Sequence, residues 1–158
     1  MNNYQIHKVR SEDQLKITKT LFTEYQKELN VDLCFQSFEQ ELASLPGIYE
    51  QPDGEILLLI DIETNRYVGC VAVKKLEGQD CEMKRLYVQP DFRKKKYGLV
   101  LTQNIIEVSK QLGYKNMYLD TLEVLSGAIS LYEKIGFEKT NSYYDNPLEG
   151  VVYMKISL

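Results

Sequence analysis

A chain of 158 residues with 44% hydrophobic and 27% charged residues has ordinary globular composition, enough for one domain that buries roughly 70% of its unfolded surface. A net charge of −4 argues against general nucleic-acid binding, and no signal peptide or long apolar run points to a membrane. Cys34, Cys70 and Cys81 are odd in number and lack C-x-x-C spacing, which suggests a reducing cytoplasm; with His7 the single histidine, neither a zinc site nor a Ser-His-Asp triad can be assembled, so the cysteines read as packing residues and no metal is expected.

In chain order, Tyr4 to Val9 reads as an opening strand. Ser11 then offers an N-cap with Gln14 as capping-box partner, and Leu15, Thr18, Phe22, Tyr25 and Leu29 mark one face of a long helix that Asn30 ends. Ser37 and Gln40 repeat the capping signal for a short helix to about Leu45, closed by Pro46-Gly47. Glu24, Glu28, Asp32, Glu39 and Glu41 make this region acidic, which reads as a solubilising surface. Pro52-Asp53-Gly54 turns into a strand over Glu55 to Asp61, and Thr64-Asn65 into a second over Tyr67 to Lys74, buried on both faces. A third strand carries Met83, Leu86 and Val88 and stops at Pro90-Asp91, completing an antiparallel meander. Its period of two predicts Glu82, Lys84, Leu86 and Val88 on one face.

Next come four consecutive cations, Arg93, Lys94, Lys95 and Lys96, before a helix over about Tyr97 to Leu112 with Leu101, Ile105, Val108 and Leu112 in helical spacing. A helix start exposes unpaired N–H groups and a positive dipole end, so the run suits a polyphosphate ligand; the competing reading is a solvated basic turn. Asn116 to Leu122 predicts a strand parallel to the third through that helical crossover. Ser126 is expected to cap a helix containing Ala128, Leu131, Tyr132 and Ile135, which Gly136 closes. Phe137 to Tyr143 and Val151 to Ser157 make a final hairpin. The expectation is a single α/β domain over residues 1–158, with a mixed, mostly antiparallel sheet and about four helices.

Two segments carry a family resemblance. V-Q-P-D-F-R-K-K-K-Y-G looks like the acetyl-CoA-binding segment of the GNAT N-acetyltransferase superfamily, whose Q/R-x-x-G-x-G/A signature falls on Arg93, Lys96 and Gly98, with Lys96 in place of the first glycine. A-I-S-L-Y-E-K-I-G-F, Ala128 to Phe137, resembles the family's A-x-x-L-Y-x-x-x-G-F segment. Together the resemblance covers about residues 55 to 140 and implies a GNAT-type acyltransferase fold, acetyl-CoA as cosubstrate and an amine of a small molecule or peptide as acceptor. It places the coenzyme's pantetheine beside Leu86, Tyr87 and Val88 and its pyrophosphate at Arg93, Lys94, Lys95, Lys96, Tyr97, Gly98 and Leu99. It makes Tyr132 the acid that protonates the leaving thiolate, against a reading as an aromatic helix anchor. Glu82 falls where several relatives carry a general base, against a salt bridge with Lys84 or another strand cation. Leu125 replaces a common asparagine. These departures keep a non-catalytic acyl-CoA-binding or regulatory module as the alternative, and a homodimer stays open. Lys96 must either fit a helical conformation or carry strain of about 1–3 kcal/mol.

Overall fold

A computed structural model describes residues 2–31, 33 and 37–158; Asp32 and Cys34, read above as part of an acidic region and as a packing residue, lie outside them. In order, the elements are β1 (Tyr4–Lys8), α1 (Glu12–Leu29), α2 (Phe38–Ala43), β2 (Glu55–Asp61), β3 (Arg66–Lys75), β4 (Asp80–Val88), α3 (Tyr97–Gln111), β5 (Asn116–Leu122), α4 (Ser126–Ile135), β6 (Glu138–Thr140) and β7 (Val151–Ser157). The strands form one seven-stranded sheet in the order β1-β2-β3-β4-β5-β7-β6, and among them only β4 and β5 pair in parallel. The architecture is therefore the expected α/β arrangement of a mixed, mostly antiparallel sheet with four α-helices among the described residues.

Local chemistry explains the elements and the departures. At the start of α1 the Gln14 N–H donates to Ser11 Oγ at 3.1 Å and the Ser11 N–H donates back to Gln14 Oε1 at 3.2 Å, a complete capping box. Asn30 closes the helix in a left-handed conformation. Ser37 does not cap α2: its φ of 55° is left-handed, whereas a cap needs extended backbone to aim its hydroxyl at the helix amides. Ser126 is helical and Leu125 holds the cap position. The final hairpin is shorter than predicted: its first strand ends at Thr140, and Tyr143 lies beyond it, where its hydroxyl donates to Glu82.

Alternation along the strands, reset where a bulge intervenes, gives the sheet two apolar faces. Leu57, Leu59, Val71, Val73, Met83, Met117 and Leu119 pack under α3, which contributes Leu101 and Ile105. Ile56, Leu58, Cys70, Ala72 and Tyr87 pack under α1 and α2 with Leu21, Phe22 and Phe38. Each fully buried leucine or isoleucine here contributes roughly 1.5–3 kcal/mol.

Two irregularities in β4 create the site. Cys70 pairs with Tyr87 but Ala72 pairs with Lys84, so two steps along β3 oppose three along β4; the extra residue is a β-bulge at Arg85–Leu86, with Arg85 at φ 61°. The bulge flips the alternation. Cys81 and Met83 face α3 before it, and Leu86 and Val88 face α3 after it, so Glu82 and Lys84 do not share a face with Leu86 and Val88 as a uniform period predicts. In addition, β4 and β5 pair only from Asp80–Glu82 to Asn116–Tyr118, beyond which no pairing joins them. Past that point the sheet opens.

Candidate active site

The opening between β4 and β5 holds a cavity of about 120 Å³, lined among others by Lys84, Leu86, Asp120, Leu125, Tyr132 and Asn146. It shares Leu86, Leu125 and Ala128 with a longer groove of about 580 Å³ that runs past Val88, Arg93 and Leu131 to Gly98 at the start of α3. Side chains on β4 and α4 thus converge with Gly98 of α3 on one channel from the sheet centre to a helix N-terminus. In the first turn of α3 the amides of Tyr97, Gly98 and Leu99 have no intrahelical acceptor, which suits an anion. Gly98 leaves room there: a Cβ on it would stand 3.5 Å from Leu131 Cδ2, across the groove.

The expected coenzyme residues divide into groups. Leu86, Tyr87, Val88, Arg93 and Gly98 line the groove together. Lys96 and Leu99 line an adjoining depression that also includes Arg93 and Gly98. Arg93 is fixed by its Nε donating to the Val88 carbonyl at 2.9 Å and by an ion pair with Glu28, and its guanidinium lies 5.8 Å over the Tyr87 ring. The Tyr87 hydroxyl donates to Glu24 at 3.2 Å. Lys94 is exposed. Lys95 and Tyr97 turn away from the groove. The Lys95 ammonium meets Asp61 at 3.1 Å and Glu63 at 3.3 Å, and the Tyr97 hydroxyl, on a ring only 1% exposed, donates to Asp61. Burial and then the Asp61 bond push the Tyr97 hydroxyl up to about 12. Burial alone would raise the Asp61 carboxyl, but donation from Tyr97, Thr64 and Lys95 outweighs it and holds that group well below the usual carboxylate range. These contacts tie the basic turn to β2. Lys96 takes the strained alternative, with φ 62° and ψ 26°.

Tyr132 lies on α4 at the wall of the cavity. Its ring packs edge-on against Phe137 at 5.7 Å, and burial, helped by the charge of Asp120, raises its hydroxyl well above the ordinary tyrosine value. Glu82 is 3% exposed, accepts the Tyr143 hydroxyl, and has Lys84 at 3.9 Å and Lys74 at 4.0 Å; it is not among the residues lining the cavity. Cys70 and Cys81 are buried packing residues. Desolvation raises both thiols, Cys81 to about 12, which keeps them protonated. Among the described residues no group of His, Cys, Asp or Glu could hold a metal ion, and no helix is long and apolar enough to cross a membrane.

Sequence reasoning missed two features. Arg85 is a bulge residue whose guanidinium forms a buried two-bond pair with Glu41 of α2, at 2.9 and 3.0 Å, between the rings of Tyr25 and Phe38. Asp120 lines the cavity, and its Oδ2 accepts from Tyr144 and from Asn146, the latter at 2.8 Å. Alternation in N-M-Y-L-D-T-L already set Asp120 opposite the buried Met117 and Leu119, and that was the available signal.

The sheet splits at a parallel pair beside a bulged strand, with a channel ending on a helix N-terminus, and the chain belongs to the GNAT family of acetyltransferases: the Acetyltransferase (GNAT) family model matches residues 17–137. An uncharacterised N-acetyltransferase of Schizosaccharomyces pombe is 42% identical over 99% of this chain and 96% of its own length. One from Dictyostelium discoideum is 30% identical over 92% of this chain and 94% of its own. Among solved structures, a GNAT-family acetyltransferase of Staphylococcus aureus superposes with a TM-score of 0.80 at 19% identity over 98% of both chains. Another from Elizabethkingia anophelis, with acetyl-CoA bound, has a TM-score of 0.66 at 20% identity over 100% of both.

Proposed function

We propose that this chain is an acetyl-CoA-dependent N-acetyltransferase acting by direct attack of a primary amine of a small molecule or peptide. The observation that carries this reading is the continuity of the channel, which joins the start of α3 to the cavity holding Tyr132. When bound, acetyl-CoA supplies an activated acetyl thioester and a thiolate leaving group. The chain's part is to bind, orient and move protons. The first-turn amides of α3, with Arg93 and Lys96 beside them, receive the phosphates, and Lys94 adds exposed positive charge. The backbone of Leu86, Tyr87 and Val88 flanks the pantetheine. The bulge leaves Arg85 and Leu86 without register partners on β3, beyond the last β4–β5 pair, so backbone donors there can face a thioester carbonyl. Tyr132, raised by burial, stays protonated at neutral pH and can give its hydroxyl proton to the departing thiolate. Glu82, enclosed by Tyr143 and two lysines, is tested as a base alongside it.

The experiment is thiol release from acetyl-CoA across a panel of primary amines. Amine-dependent release is expected, and Tyr132→Phe should lower turnover about hundredfold while CoA affinity stays near wild type. Acetyl-CoA binding without release for any amine would instead support the non-catalytic module.

A further inference from the structure

The base that Glu82 was expected to supply is better matched by another carboxylate. Asp120 lies on β5 two residues past Tyr118, the last β5 residue paired with β4, so it stands where the strands have parted. It lines the same cavity as Leu86 and Tyr132. Its Oδ2 is occupied by the Tyr144 hydroxyl and the Asn146 amide, and Asn146 in turn holds Tyr144 at 3.0 Å. The Tyr153 hydroxyl donates to the Tyr144 carbonyl at 3.1 Å, bracing the loop from β7. Among the described residues no donor is bonded to Oδ1. One oxygen is held by the protein and the other is left for what enters the cavity. Glu82, by contrast, is spent on Tyr143 and lies between Lys74 and Lys84, outside the cavity lining.

We propose that Asp120 anchors the acceptor, a primary ammonium, through Oδ1 and takes the proton its nitrogen must lose. This rests on the acetyl-transfer reading above. In the balanced step a proton passes from the ammonium to Asp120 Oδ1, and the freed lone pair forms the N–C bond to the acetyl carbon. The C–S bond breaks, the sulfur takes the Tyr132 proton, and the nitrogen's second proton restores Tyr132. The products are the amide and the free thiol, with one proton left on Asp120 for solvent. The groups facing Asp120 fit this work. Lys84 and Arg85 of β4 line the cavity, but Arg85 is neutralised by Glu41 and Lys84 lies beside Glu82. The others are hydroxyls: Tyr25 of α1, Tyr132 of α4, Tyr143 and Tyr144 of the loop, and Tyr153 of β7.

The test pairs Asp120→Asn with Glu82→Gln and has two readouts. In calorimetry on protein saturated with CoA, primary amines should bind wild type and their alcohol isosteres should not. Asp120→Asn should lose amine affinity tenfold or more while CoA affinity stays within about twofold, which also reports a native fold. In turnover, Asp120→Asn should lower kcat/KM about hundredfold. Its log kcat/KM should rise with unit slope toward the amine's own pKa, where wild type is level, because only pre-neutralised amine can then react. Tyr144→Phe, which removes an orienting bond but keeps the carboxylate, should cost less and keep the wild-type profile. If Asp120→Asn retains amine affinity and a level profile, or if Glu82→Gln alone acquires the unit slope, the assignment to Asp120 is wrong. If wild type binds CoA yet neither binds nor acetylates any amine, the function falls and this assignment with it.

Discussion

The ion pair between Arg85 and Glu41 offers a sharp test, because it fixes the bulge that faces the reaction. The two side chains are 2% and 4% exposed and share two charge-assisted hydrogen bonds. Glu41→Ala would strip the guanidinium of its carboxylate and leave it beside Tyr25 and Phe38. Leaving one partner of a buried pair uncompensated costs about 3–5 kcal/mol, a large share of a typical total of about 5–15 kcal/mol. Arg85 also holds φ 61°, a strained value for a non-glycine residue that persists only where its surroundings enforce it. For a chain of this length, about 2–4 °C per kcal/mol translates the loss into a Tm drop of roughly 6–20 °C. Urea denaturation with an unchanged slope would give the free energy directly. The double change Glu41→Leu with Arg85→Met should recover much of the loss, since a well-packed apolar pair can replace a buried ionic one. A single Glu41→Ala variant less than about 1 kcal/mol below wild type would refute the clamp.

Lys96→Gly separates strain from charge. The turn already holds Lys96 left-handed, so relief of strain of about 1 kcal/mol, offset by a similar gain in unfolded-chain entropy, should leave Tm within a few degrees. CoA affinity should fall up to about fivefold at low salt, the loss shrinking as salt is added, because a cation near the phosphates is gone; tighter binding would contradict this. Asp61 sets an acid limit. Its carboxyl is held below the unfolded value of about 3.9, so its contribution is fully present above that pH and is lost as pH falls toward the depressed folded value. Asp61→Asn should therefore be less stable than wild type at neutral pH and show a flatter decline below about pH 4 in melts against pH; an unchanged decline would show that other carboxylates carry it.

Much of the frame was legible. The capping box at Ser11, the strand over Glu55 to Asp61 and the doubly buried strand after it, and the strand from Asn116 to Leu122 are local patterns, and the structure reproduces them. The bulge was not, because M-K-R-L-Y-V alternates acceptably by itself and the extra residue appears only against the register of β3. The uniform look of R-K-K-K concealed three different fates, since Arg93 pairs with Glu28, Lys95 with Asp61, and Lys96 turns left-handed, all set by partners distant in sequence or by backbone geometry. Asp120 was overlooked because one carboxylate on the polar side of a strand resembles ordinary surface until the strands are seen to part beside it.

The central claim, that the channel between β4, α4 and the start of α3 receives the coenzyme, is tested most directly by calorimetric titration of CoA into wild type and Gly98→Leu. Gly98 is helical with no left-handed φ, so the backbone accepts leucine, while the side chain projects toward Leu131 across the groove. The account predicts one CoA per chain in wild type and at least about tenfold weaker binding in a variant that melts normally, a loss of about 1.4 kcal/mol or more. Equal CoA affinity in the two proteins would contradict it.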